Sequence, residues 1–158
     1  VIKDVLTDLE LVIEQKNVDI RVSHLPVVIG IPSLVQQLFY NLINNALKFS
    51  RENIQPKIMI SSDIISTDQL PDGYSKNGVE KYSDIRIQDN GIGFNQKYAE
   101  TLFNIFIRLN PKEKYEGTGL GLTLCKKIVD RHHGKIIAEG KEGEGACFRV
   151  LLPIKDAE

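Results

Sequence analysis

The 158 residues carry 20 Lys or Arg against 21 Asp or Glu, a net charge of −1, and are 42% hydrophobic and 26% charged. This length serves a single domain whose core needs no metal or disulfide. The near-neutral balance gives no general field for nucleic acid or anionic lipid, so any bound phosphate is held by local geometry. Cys125 and Cys147 are too few and too far apart for a disulfide framework or a zinc site, and both read as reduced core residues suited to the cytoplasm. No run of about 18 apolar residues and no signal-peptide pattern is present.

Residues 1–16 place Ile2, Val5, Leu6, Leu9, Val12 and Ile13 at helical spacing with acidic residues between them. The chain opens without Met inside this helix and reads as a piece of a longer protein. Residues 18–23 (VDIRVS) alternate as a strand, and 27–29 form a second short one. His24, between them, has no companion at motif spacing and reads as a loop or edge-strand residue.

The stretch 31–50, IPSLVQQLFYNLINNALKFS, organises the rest. Pro32 suits its first turn, and Leu34, Val35, Leu38, Phe39, Leu42, Ile43, Ala46 and Leu47 cover one half of the helix. On the other half Gln37, Asn41, Asn45 and Lys48 fall within an arc of roughly 80°. A solvated surface face would explain a polar side. Yet Asn is a poor helix former whose side chain competes for the backbone, and Asn41, Asn44 and Asn45 stand where Glu, Lys or Gln would be usual. That edge is expected to face a ligand.

Residues 57–65 and 82–88 are strand-like, and the polar, turn-rich segment between them reads as a long hairpin loop without a site. The second strand runs into Asp89-Asn90-Gly91-Ile92-Gly93-Phe94. Two closely spaced glycines let a ligand approach bare backbone, and Asp89 can accept hydrogen bonds there. A DNG run also makes a hairpin turn, but a helix is expected next, over 95–107, with Asn95 as its cap and Tyr98, Leu102, Phe103, Ile105 and Phe106 on its apolar face. A charged segment broken by Pro111 then leads to Gly117-Thr118-Gly119-Leu120-Gly121-Leu122, which opens a helix (LTLCKKIVDRHH). Backbone N–H groups exposed at such a helix start suit phosphate. Two strands, 135–139 and 147–152, close the chain around a glycine-rich turn.

This order excludes a P-loop, which needs GxxxxGK[ST], and a Rossmann unit, which needs alternating βαβ. The protein-kinase landmarks VAIK, HRD and DFG are missing as well. The sequence instead closely resembles the catalytic and ATP-binding domain of sensor histidine kinases, in the GHKL superfamily. Its four boxes stand in order: the N box NLINNALKFS, the G1 box DNGIGF, the F box LFNIFIRL and the G2 box GTGLGL. The likeness runs from about residue 18 to 153 and includes the tail GEGACFRVLLP.

The resemblance implies an α+β fold, a two-layer α/β sandwich of the Bergerat type. A mixed, mainly antiparallel sheet would be covered on one face by three helices, with a flexible ATP lid over residues 109–118. It implies ATP and Mg2+ as cofactors. Asn41 would be the magnesium ligand, Asn45 and Lys48 would meet phosphate, and Phe49 would border the adenine. Asp89 would accept from the adenine amino group, with Gly91, Ile92 and Gly93 beside the base. Gly117, Thr118, Gly119, Leu120 and Gly121 would meet the phosphates, and Arg108 would reach the terminal phosphate. Gln37 stands where hydrolysing relatives carry a water-activating Glu, and a neutral amide cannot take a proton, which favours transfer over hydrolysis.

None of the three histidines matches the phosphoacceptor pattern; His132 and His133 read as helix-terminal residues, His133 standing where the family commonly has Gly. Residues 1–16 would then be the end of a linker helix from a dimerisation and phosphoacceptor domain, and 17–158 the catalytic domain. The implied partners are those dimerisation helices, within a homodimeric parent, and a response-regulator receiver domain, without nucleic acid or direct membrane contact. The domain would lie in the cytoplasm, whether or not its parent is membrane-anchored. The alternatives are a GHKL-type ATPase switch, an anti-sigma-like serine kinase, or an inactive nucleotide-binding interaction module.

Overall fold

A computed structural model describes residues 1–70, 81–104 and 121–154. The β-branched runs fall where alternation requires, as β1 (Asp19–Val22), β2 (Lys57–Ser66), β3 (Lys81–Asp89), β4 (Lys135–Lys141) and β5 (Gly145–Pro153). They form one open sheet in the order β1-β2-β3-β5-β4. β1 pairs parallel to β2, with Asp19 opposite Lys57, and every other pairing is antiparallel. The short strand expected at 27–29 is a single bridge, Val28 to Ile154.

Period-two alternation sends Ile58, Ile60, Ile85, Ile87, Phe148, Val150, Leu152, Ile136 and Ala138 to one face, where they join the core. Helix α3 (Pro32–Lys48) covers them with Val35, Leu38, Phe39, Leu42, Ile43, Ala46 and Leu47. Helix α4 (Gly121–Arg131) adds Cys125, Ile128 and Val129. The helix expected over 1–16 is two, α1 (Ile2–Asp8) and α2 (Glu10–Lys16), broken at Leu9. Val5 and Leu9 are nonetheless buried in the same core.

Two further expectations change. Residues 96–103 form not an α-helix but two 3-10 turns, Gln96–Tyr98 and Thr101–Phe103. Asn95 does cap the first, accepting from the Lys97 N–H at 3.1 Å. The chain then leaves helical geometry at Asn104, whose ψ is 149°, and 105–107 lie outside the described residues. Cys147 is half-buried rather than core; it alternates with Phe148 and so lies on the sheet face away from the helices. On that face Asp84 is buried and paired with Arg149 at 2.9 Å and Arg86 at 3.0 Å. Burial pushes its carboxyl up, but the guanidiniums of Arg149 and Arg86 outweigh this and hold it below the usual range.

The end of α4 explains both of its histidines. His133 takes a left-handed φ of 56°, the conformation that favours glycine after a helix. His132 is buried, donates from Nδ1 to the Ile128 carbonyl at 2.7 Å and accepts at Nε2 from the Ile31 N–H at 2.9 Å. It ties the end of α4 to the start of α3. Among the described residues no helix is long and apolar enough to cross a membrane.

Candidate nucleotide site

The polar edge of α3 keeps the order expected of it. Gln37, nearest its start, is exposed, while Asn41, Asn45 and Lys48 become half-buried toward its end. Asn41 faces α4: its side chain is within hydrogen-bonding reach of the buried Cys125 sulfur, which also lies 3.8 Å from the Leu38 carbonyl. Burial pushes the Cys125 thiol up to about 12, so it stays neutral and inert. Cys125 is one turn along α4 from Gly121, so the amide edge of α3 and the start of α4 stand opposite each other. Thr123, in that first turn, donates to the Phe103 carbonyl at 3.0 Å and fixes α4 to the second 3-10 turn.

Asp89, the last residue of β3, alternates with Ile85 and Ile87 and therefore points into the helix layer. Its Oδ1 accepts from the Gly91 N–H at 2.8 Å and the Ala146 N–H at 3.3 Å. Burial raises its carboxyl to about 6, although both amides pull the other way. Oδ1 is thus doubly engaged by backbone amides.

Phe49 ends α3 and meets the turn after Asp89 directly, its carbonyl accepting from the Ile92 N–H at 2.9 Å. The Ile92 carbonyl in turn accepts from the Gly143 N–H at 2.8 Å, in the β4–β5 turn. The two glycines of the turn serve this packing: a Cβ at Gly91 would overlap the Phe49 carbonyl oxygen, and one at Gly93, where φ is +64°, would overlap the Lys141 carbonyl. Gly121 differs, since a Cβ there meets none of the described residues within 4 Å.

The structure thus brings Asn41, Asn45, Lys48, Phe49, Asp89, Gly91, Ile92, Gly93 and Gly121 to one side of the sheet. Arg108, Gly117, Thr118, Gly119 and Leu120, with the expected lid, lie outside the described residues. Sequence reasoning missed the Ala146 amide, because a backbone donor leaves no mark in residue type. It also missed the Cys125 sulfur beside Asn41, where a helical-wheel overlay of the two helices was the available signal.

An open mixed sheet covered on one face by helices is the architecture of GHKL-type ATP-binding domains. The chain matches the family described as histidine kinase-, DNA gyrase B-, and HSP90-like ATPases over residues 30–156, and it belongs to that family. It is 36% identical to the phytochrome-like protein Cph1 of Synechocystis sp. over 98% of its own length and 19% of that protein. It is 32% identical to the sensor protein kinase WalK of Staphylococcus saprophyticus, over 80% of this chain and 19% of the kinase. The chain therefore spans about a fifth of the length of these relatives. The solved catalytic domain of the histidine kinase ThkA superposes with a TM-score of 0.71 at 28% identity, covering 96% of this chain and 90% of that one.

Proposed function

We propose that this chain is the ATP-binding catalytic domain of a two-component sensor histidine kinase. It would present Mg-ATP to a histidine on separate dimerisation helices, from which the phosphoryl group passes to a response-regulator aspartate. The observation that carries this reading is Asp89: a buried carboxylate on the helix side of the sheet, with one oxygen fixed by two backbone amides, suits the exocyclic amino group of adenine. Phe49 would border the base. Asn45 and Lys48 would meet phosphate oxygens along the same edge of α3, and Gly121 would leave space for phosphate at the start of α4.

Asn41 fits a magnesium ion by donor type, a half-buried amide oxygen being a hard neutral ligand for an ion whose other ligands are phosphate and water. Asn41 would hold the ion by its amide oxygen, and the chemistry supplied there would be positive charge that offsets charge developing on phosphate. Gly117, Thr118, Gly119 and Leu120 would complete the phosphate contacts, and Arg108 would neutralise charge developing on the terminal phosphate. Gln37 cannot act as a base for water, which supports transfer over hydrolysis. The relatives' greater length is compatible with a homodimeric parent that supplies the acceptor histidine, the regulator contact and any membrane anchor, with this domain in the cytoplasm.

The test is calorimetric titration with ADP and a non-hydrolysable ATP analogue, with and without magnesium, beside a hydrolysis assay. Magnesium-coupled binding with negligible turnover is expected. Asn41→Ala should weaken the magnesium-dependent part of binding while melting is unchanged; an unaltered magnesium dependence would remove Asn41 from its role. Rapid turnover would favour an ATPase switch, and absence of binding an inactive module.

A further inference from the structure

The adenine end of the site has two walls from distant parts of the chain, Phe49 at the end of α3 and Asp89 at the end of β3. The loop 50–56 joins α3 to β2 and runs between them. Both of its ends are gripped by consecutive residues that finish α2. At the α3 end, Lys16 Nζ donates to the Leu47 carbonyl at 2.7 Å and to Ser50 Oγ at 3.1 Å, while Ser50 Oγ donates to the same carbonyl at 2.9 Å. Leu47 lies in the last turn of α3, where carbonyls have no intrahelical partner, and an ammonium there also favours the helix dipole.

At the other end, Gln55 Nε2 donates to the Asn17 carbonyl at 3.1 Å. Asn17 is the left-handed residue that terminates α2, with φ 50°. The Gln55 carbonyl accepts from Asn90 Nδ2 at 3.0 Å, and Asn90 Oδ1 accepts from the Lys57 N–H at 2.8 Å. Arg51 Nε donates to the Asn90 carbonyl at 2.9 Å. Asn90 is bonded in sequence to Asp89, so a relay of polar contacts runs from α2 through the loop to each wall. No residue of α2 is fully buried, although Val12 and Ile13 pack against the core; these polar bonds, with the Asp19 N–H on the Pro56 carbonyl at 2.9 Å just beyond it, join its C-terminal end to the loop.

We propose that the end of α2, through Lys16 and the Asn17–Gln55 contact, is the positioning element that sets the spacing of Phe49 and Asp89 and so the site's preference for adenine. This rests on the reading that Asp89 takes the adenine amino group. Lys16 touches no nucleotide in this scheme. A displacement of α2 would move the loop, and with it the two walls, so a change reaching the helix from upstream would be felt first as altered base recognition.

The experiment titrates the full 158-residue chain with ATP and with inosine triphosphate, which has a carbonyl in place of the amino group. Wild type, Lys16→Met, Lys16→Arg, Gln55→Ala and Asp89→Asn are compared, with a melting curve for each. Lys16→Met is expected to lose ATP affinity by roughly threefold to tenfold, the range of one ordinary hydrogen bond, with little change for inosine triphosphate. Lys16→Arg should restore the preference, and Gln55→Ala should shift it in the same direction as Lys16→Met and decide the matter if that variant fails to fold. Equal losses for both nucleotides, or an unchanged preference in Lys16→Met and Gln55→Ala while Asp89→Asn abolishes it, would overturn the proposal and leave the role of Asp89 standing. An Asp89→Asn variant that keeps the wild-type preference would overturn both.

Discussion

Asp89 is held in a place that suits a ligand better than it suits the unliganded fold. Its carboxyl sits at about 6 in the folded chain, above the ordinary 3.8, and the first cause is burial. The folded state therefore binds this proton more tightly than the unfolded state does. The linked stability is fully present below the ordinary carboxylate value and is lost as pH rises through about 6. Asp89→Asn keeps an acceptor for the Gly91 and Ala146 amides and removes the buried charge. It should raise the melting temperature at pH 7.5, have little effect at pH 4, and weaken ATP and ADP binding at pH 7.5 because both carry the adenine. A variant that melts lower at pH 7.5 would show that the charge is not a burden there. In the wild type, nucleotide affinity should fall as pH drops through about 6, since the two amides on Oδ1 leave Oδ2 to take the proton. Asp89 was legible in the sequence because a carboxylate followed by two spaced glycines has a recognisable chemistry. The duty of the glycines was only half legible: at Gly91 and Gly93 they admit the Phe49 and Lys141 carbonyls of the chain itself.

Helix α3 was the most legible element, since its apolar half and its amide edge follow one period and Pro32 marks its start. Within 95–104 the expected helix differs from the structure because Tyr98, Leu102 and Phe103 at helical spacing look alike in an α-helix and in short 3-10 turns that bury Phe103 by tertiary contact. Phe103 packs edge-on against Phe148 of β5, with ring centroids 6.4 Å apart. That long-range contact has no trace in local periodicity. Of the glycine pattern that opens α4, Gly121 lies among the described residues, and it differs from the packing glycines Gly91 and Gly93. Gly121→Ala places a methyl group against none of the described residues, so their packing should be unchanged and the unliganded fold slightly more stable, by at most about 1 kcal/mol, the helix-propensity difference. Nucleotide affinity should still fall, because this is where the phosphates are proposed to approach the helix backbone. Unfolding curves and calorimetry on one preparation check this, and undiminished affinity would take Gly121 out of the site. His133, in its left-handed conformation, shows the converse, a position where the chain departs from glycine and keeps the glycine geometry.

At the scale of the molecule the core does not respect a boundary between residues 16 and 17. The family match begins at residue 30, and sequence reading gave 1–16 to an upstream helix, yet Val5 is fully buried and Leu9 is 3% exposed within the core that α3 and the sheet share. Both statements can hold of one protein: a helix that arrives from elsewhere can also complete the hydrophobic layer where it lands. Burying two such side chains is worth about 1.5–3 kcal/mol each, against the entropy of ordering two short helices. Removing residues 1–16 should therefore lower the stability measurably, against a domain total of about 5–15 kcal/mol. Residues 17–158 alone should unfold at a clearly lower urea concentration than 1–158, with a smaller slope because less surface is exposed on unfolding. Leu9→Ala in the full chain separates the contributions, since it removes buried surface while keeping Lys16 on the Leu47 carbonyl. If the truncation and Leu9→Ala lower the midpoint together but only the truncation alters base preference, α1 holds the core and the end of α2 shapes the site. Equal midpoints for 1–158 and 17–158 would mean that the core is complete without α1, and that residues 1–16 act on this domain only through polar contacts.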